Sequence, residues 1–283
     1  MAQPLTLQRE ELNLHMRLAS LILISVIFLA FSQKADKTPV RSKTISTGER
    51  LDYSMYLGWF TVGKGVTMTD KNFHTRNNRV CYKVDAFMET LGIATWISKV
   101  NDNWGAYVDT SELVTHESYR KLHEGPYQLH EVIKYDPEKD EASVVVADKV
   151  TGKFGTPKTY TTPDNVRDIV AGFMYLRIID FSKYKIKDTL TVSGFFEDKA
   201  YHFQIIYYGK ETIETEIGKI PCYKLIPIMP DNQLFRGENS VTAWLSADGN
   251  QIPVKVDAKM FIGHAGTELV GFRGLRNQLK IVF

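Results

Sequence analysis

Residues 243–257 read AWLSADGNQIPVKVD, and two readings of them lead to different proteins. Ser246, Asp248 and Lys255 beside Trp244 are residue types of a catalytic centre, whereas a strand, a turn and a returning strand account for the same letters. Ser246 lacks the GxSxG elbow that lifts a hydrolase nucleophile out of its turn, and no histidine stands at a recognisable spacing from it. Ala247-Asp248-Gly249-Asn250 supplies residues that tolerate positive φ, and Ile252, Val254 and Val256 alternate along the segment that follows. The hairpin reading uses every residue. Pro253, which cannot donate to a ladder, then belongs at an edge or a bulge.

The same period-two pattern runs through most of the chain. LDYSMYLGW sets Leu51, Tyr53, Met55 and Leu57 on one face, and RVCYKVDAFM does so for Val80, Tyr82, Val84, Ala86 and Met88. Comparable strands follow in WGAYVDT, YQLHEVIKYD, EASVVVAD, AYHFQIIYYG and KIPCYKLIPIM. Their short polar turns favour antiparallel hairpins, because a parallel crossover needs a dozen or more linking residues. The expected fold is mostly β, with antiparallel curved sheet or sheets forming a half-open barrel or a sandwich-like body, and one main helix packed on the sheet.

Two segments leave the rhythm. Residues 91–100, LGIATWISKV, read as one or two helical turns that carry Trp96. From Thr162-Pro163 a helix is expected to about Phe181, with Thr162 as cap and Val166, Ile169, Val170 and Phe173 toward the sheet. Arg177 falls on that stripe. It marks either a helix end that reaches water or a buried ion pair or anion site, since an unpaired buried guanidinium is very costly. Residues 71–78, KNFHTRNN, read as an extended loop.

The start of the chain differs in kind. Leu18 to Phe31, LASLILISVIFLAF, is fourteen uncharged residues after Arg17, short of the roughly 20 that span a bilayer and the right length for a signal-peptide core. Ala30 and Ser32 suit cleavage before Gln33, and an uncleaved anchor is the alternative. Met1 and Met16 are both usable starts for such a signal. The expected organisation is a signal peptide over 1–32, a flexible leader over 33–47 and one β-rich domain over 48–283. No permanent transmembrane helix is expected after cleavage.

Thirty-five Lys and Arg against thirty-three Asp and Glu give a net charge of +2, too balanced for the phosphate contacts that nucleic-acid binding needs. Cys81 and Cys222 either pair in an oxidising compartment or sit as small buried hydrophobes. His116, His123 and His130 recur every seven residues. A hairpin turning at Gly125-Pro126 sets 124 opposite 127, 123 opposite 128 and 116 opposite 135, so the imidazoles diverge and no metal site is expected. Gly63-Lys64-Gly65 lacks the rest of a phosphate loop. No catalytic residues and no cofactor emerge. Aromatics are the remaining clue, and Trp59, Phe60, Trp96 and Trp104, with Arg177, are the candidate ligand-binding residues.

Taken together, GERLDYSMYLGWFTVGKGV, DIVAGFMYLR, GKETIETEIGKIPCYKL and AWLSADGNQIPVKVD resemble, in order and spacing, the exported bacterial family called domain of unknown function 3108. The resemblance covers about Gly48 to Val270. It implies an exported, mostly β protein of Gram-negative, Bacteroides-like bacteria, periplasmic or associated with the outer membrane, with no established activity and no catalytic residues to carry over.

The expected function is therefore non-enzymatic binding of an apolar or amphipathic molecule, a lipid or glycolipid, in the curved sheet. An interaction or scaffold protein of envelope assembly, using a strand edge near Pro253 to hold a protein partner, is the alternative. A glycan-acting enzyme comes third. N-terminal sequencing of the protein from the cell envelope is expected to begin near Gln33, and an intact Met1 or Met16 would contradict cleavage.

Overall fold

Alternating segments joined by short turns leave each strand beside its predecessor, and the computed structural model builds one sheet from this rule. It describes residues 42–228, 240–260 and 263–282. The segment expected to be a signal peptide and most of the expected leader lie outside these. Fifteen strands are present among the described residues, all paired antiparallel in a single sheet. The first six are β1 (Arg50–Leu57), β2 (Phe60–Thr69), β3 (His74–Arg76), β4 (Arg79–Thr90), β5 (Asn101–Asp109) and β6 (Thr115–Glu124). Next come β7 (Tyr127–Asp136), β8 (Glu141–Val146), β9 (Lys158–Thr161), β10 (Thr189–Phe196) and β11 (Lys199–Thr215). The last are β12 (Gly218–Pro227), β13 (Val241–Ser246), β14 (Pro253–Met260) and β15 (Gly263–Arg273). The sheet runs from β10 through β15 to β1, then through β2, β4 and on to β9, with β3 pairing only with β4.

No ladder joins β10 to β9, so the sheet is not closed into a barrel. Side chains meet across the gap instead. Tyr160 of β9 packs its ring 5.9 Å from Phe195 of β10, and its hydroxyl donates to Asp198 at 2.7 Å. The expected half-open barrel is the architecture found. Of the two places expected for Pro253, the bulge is the one found, because β14 has β13 on one side and β15 on the other. Pro253 sits at a bulge beside Leu245 and not at an edge, which removes the strand edge on which a scaffold role near Pro253 rested. Residues 71–78 are also more ordered in pairing than a loop. Asn77 and Asn78, both left-handed at φ 47° and 57°, make a tight turn that returns β3 onto β4.

A sheet this curved must cover its concave face, and two α-helices lie among the described residues. The first, α1 (Ala94–Ile97), buries none of its side chains. The second, α2 (Ile169–Leu176), is much shorter than the expected 163–181 helix. Asn165 is left-handed at φ 53°, and Arg167 pairs with Gly194 in a short parallel bridge, so helical geometry cannot begin at Thr162. Asp168 is the actual cap, with its carboxylate accepting from the amides of Val170 and Ala171.

The buried face of α2 also differs from the expected stripe. Val170, Ala171 and Met174 pack on Tyr82, Val84, Ala106 and Val108 of β4 and β5. Leu176 and the following Phe181 pack on Leu190, Ile205, Tyr207, Leu225 and Leu245 of β10 to β13. Ile169 and Phe173, expected to face the sheet, are left half exposed. The helix thus lies between the two halves of the sheet, and each Leu-sized side chain it buries contributes about 1.5–3 kcal/mol. Ile45 is fully buried in the same cluster, so packing begins within the polar leader, ahead of Gly48.

The end of α2 is tied down by the stretch 243–257. Asp248 accepts from Ser246 Oγ and from the amides of Asn250 and Gln251, and Ser246 Oγ accepts from the amide of Ile252. The left-handed residue of the turn is Gln251, at φ 44°, and not one of the four residues before it. That geometry aims the Gln251 amide group to donate to the carbonyls of Arg177 and Ile179 at 2.6 and 3.0 Å, which caps the helix end. Ser246 and Asp248 are spent on the turn.

Arg177 neither reaches water nor stands free for an anion. It is buried, donating from Nη1 and Nη2 to Glu49 at 2.5 and 2.8 Å and from Nε to the Asn250 carbonyl at 3.1 Å. The ion-pair alternative is the one realised, with the Arg177 donors directed to Glu49 and to the Asn250 carbonyl. Removing one partner of such a pair strands a buried charge. Arg177→Met is expected to cost about 3–5 kcal/mol in denaturant unfolding, and Glu49→Leu/Arg177→Met to recover most of it; an unaffected single variant would contradict the pair's burial.

Candidate functional site

Across β5, β6 and β7, register sets Trp104 opposite Arg120 and Arg120 opposite Glu131. Arg120 donates to Glu131 in a two-point pair at 2.7 and 3.3 Å, which holds the guanidinium plane in place. That plane lies over the rings of Trp104 and Phe196, 5.5 and 5.1 Å from their centroids. The two rings stack at 5.9 Å. A cleft forms here, lined also by Ser118, Asp168 and half-exposed Ile169. It holds about 20 Å³, room for one water molecule and far too little for an acyl chain. The Trp104 indole N–H is buried, with no acceptor among the described residues.

Asp168 brings a carboxylate to the floor of this cleft. Besides capping α2 it accepts from Thr115 Oγ1 at 2.9 Å, but no Lys or Arg among the described residues pairs with it. Desolvation outweighs those hydrogen bonds and pushes its pKa up to about 6. Tyr135, whose hydroxyl lies 3.3 Å from Ser118 Oγ, is also pushed up, first by burial and then by the charge of Asp168.

Of the residues expected in a ligand site, only Trp104 lies here. Trp59, Phe60 and Trp96 are exposed on hairpin tips, with Trp59 at 99% and Trp96 at 93%. Cys81 and Cys222 are both free and buried, on β4 and β12, with five strands of the sheet path between them. They do not form the disulfide. Burial pushes both thiols up to about 12, so the hydrophobe reading applies.

Arg120, Glu131, Asp168 and Phe196 were not singled out from the sequence. The first two were within reach, because a hairpin that sets 124 opposite 127 also sets 120 opposite 131. That register is observed, with His123 opposite Gln128 as expected. Among the described residues no three His, Cys, Asp or Glu side chains gather as a metal site. A second, more open cleft of about 260 Å³ is lined by Glu112, Asp140 and Asp164 with Pro137, Pro163 and Val166. Three carboxylates stand among its lining residues.

A family model described as protein of unknown function, DUF3108, matches residues 52–270. No curated protein matches in sequence. Among solved structures, the β-barrel-like protein of domain of unknown function DUF1849 from Brucella abortus is similar at 11% identity. The alignment covers 79% of this chain and 96% of that one, with a TM-score of 0.49. A Bacteroides fragilis protein with a YmcC-like fold, provisionally assigned as exported, is similar at 8% identity over 82% of this chain and 98% of that one, with a TM-score of 0.34.

The raised Asp168 pKa has a definite sign for stability. The folded protein holds the Asp168 proton more tightly than the unfolded chain, whose value is the ordinary 3.8. Its contribution is full below pH 3.8 and is lost as pH rises through about 6. Asp168→Asn keeps a capping oxygen and removes the charge. Relative to wild type its stability should rise by up to about 2 kcal/mol between pH 4 and pH 7 in denaturant titrations, with solvent at the cleft mouth screening the remainder. A difference that stays flat with pH would contradict this assignment.

Proposed function

Since the chain belongs to the DUF3108 family of proteins of unknown function, we propose that it is an exported, non-enzymatic protein of the cell envelope. In this reading it binds an amphipathic molecule of lipid or glycolipid type at the mouth of its curled sheet. The observation that carries the reading is the unspent Trp104 N–H, set beside a stacked ring pair under a fixed guanidinium–carboxylate pair. An aromatic face with a donor and an adjacent Arg–Glu pair suits a polar head bearing hydroxyl groups, which accept from the indole and bridge the charged pair. Because the space beneath is the size of one water, the rest of such a ligand lies across the mouth, over Ile169, and not inside the sheet.

The same groups argue for binding over catalysis. Arg120 and Glu131 neutralise each other, and Ser246 and Asp248 hold a turn. Both thiols are buried and held protonated. A nucleophile with a base in reach is not assembled from these residues. Export rests on the uncharged run from Leu18 to Phe31.

Native mass spectrometry of protein released gently from its own envelope tests the proposal. The wild type is expected to carry an amphipathic adduct. Trp104→Phe, which keeps a ring but loses the donor, should hold it roughly tenfold less tightly, the worth of one hydrogen bond. Wild-type protein with no adduct would contradict the reading.

A further inference from the structure

The tips carrying Trp59 and Trp96 are a separate feature with no role in the cleft. The β1–β2 tip, residues 57–62, reads LGWFTV, and the β4–β5 tip, residues 91–98, reads LGIATWIS. Neither contains a charged residue. Register pairs Gly63 with Thr90, and the Leu91 amide donates to the Val62 carbonyl at 2.9 Å, so the tips stand side by side at one end of the sheet. Trp59, Phe60, Ile93, Trp96 and Ile97 are 76–99% exposed. Elsewhere the chain has no difficulty burying such side chains, as Tyr82 and Phe181 show at 1% each.

The α1 turn makes the point sharply. It carries Trp96 and Ile97, buries none of its four residues, and is held by local hydrogen bonds such as Thr95 Oγ1 to the Thr90 carbonyl. A helix this short is not stable by propensity, and nothing in the fold needs its apolar residues where they are. Scattered exposed hydrophobes are ordinary, but five on two adjoining uncharged tips mark an interaction surface.

We propose that these two tips form a membrane-docking surface whose side chains enter the headgroup–acyl boundary of a bilayer. Their shape favours this partner over a protein. Side chains exposed at 99% and 93% project outward as points. A protein interface of standard size instead needs roughly 800 Å² of complementary surface on each side. Tryptophan is the side chain that prefers the bilayer interface, and isoleucine and phenylalanine favour the adjoining apolar layer. Behind the tips Lys64 pairs with Glu89 at 2.5 Å and Lys99 is exposed. The lysines there lie among carboxylates, with Glu124 brought beside Lys99 by the Val100–Glu124 bridge. The surface is distinct from the Trp104 cleft, so either assignment can fail without the other.

Tryptophan emission of the full chain, bound to vesicles of phosphatidylethanolamine and phosphatidylglycerol, tests the proposal at the tips themselves. Subtracting the emission of Trp59→Phe/Trp96→Phe isolates the two tip indoles, whatever the N-terminal segment does. That difference signal is expected to shift to the blue and to be quenched by lipids brominated on the acyl chain. Phe60→Asp/Ile97→Asp, both at exposed positions, should leave the far-ultraviolet circular dichroism unchanged. The same variant should abolish the quenching and weaken any vesicle binding made through the tips by about tenfold or more. Tip emission that stays at its aqueous wavelength and unquenched would overturn the proposal. So would a stoichiometric protein partner that covers the tips while they remain unquenched.

Discussion

One curved sheet cannot bury its own concave face, and here the eight-residue helix α2 and the segment after it pack into two of its apolar clusters. The interaction that holds this filler is the buried contact of Arg177 with Glu49 and the Asn250 carbonyl. It joins the end of α2 to the start of β1 and to the β13–β14 turn, three places far apart in sequence. Gln251 completes the join by capping the helix carbonyls from the same turn. Replacing such a buried pair by apolar side chains of similar volume is often neutral. Its contribution is therefore to position: it sets where the helix ends and so which residues line the mouth of the sheet.

Strand order was legible because each element is local. Alternation in RVCYKVDAFM and a turn at Gly125-Pro126 each place their own residues on a face, and the observed pairing of Glu124 with Tyr127 follows from counting. What the sequence hid was long-range. Thr162-Pro163 has the letters of a helix start, yet Asn165 is left-handed and the chain is drawn onto Gly194 of β10, which no local pattern announces. Arg177 and Glu49 are 128 residues apart. The stretch 243–257 was correctly a turn, but its second task of capping α2 depends on a partner that periodicity cannot name.

The candidate site was legible to a similar degree. Trp104 was identified as an aromatic, and the Arg120–Glu131 pair lay within the register already deduced. Phe196 and Asp168 join them only because the sheet curls until its unpaired ends meet through Tyr160 and Phe195. Trp59 and Trp96 belong to the same class by composition alone, and the structure separates them from Trp104 by exposure. That separation gives the molecule two kinds of aromatic surface. One is a small cleft rich in hydrogen-bonding groups, and the other is a pair of uncharged tips dominated by exposed apolar and indole side chains.

The account depends on α2 being an integral filler of the curled sheet and not a cover resting on it. Amide hydrogen exchange of the native protein, resolved along the chain by mass spectrometry, measures this directly. The amides of residues 172–177 are predicted to exchange as slowly as those of β4 and β5, through the same global opening. Rapid exchange in that segment while both strands stay protected would show an interior open behind a loose helix, and would contradict the account.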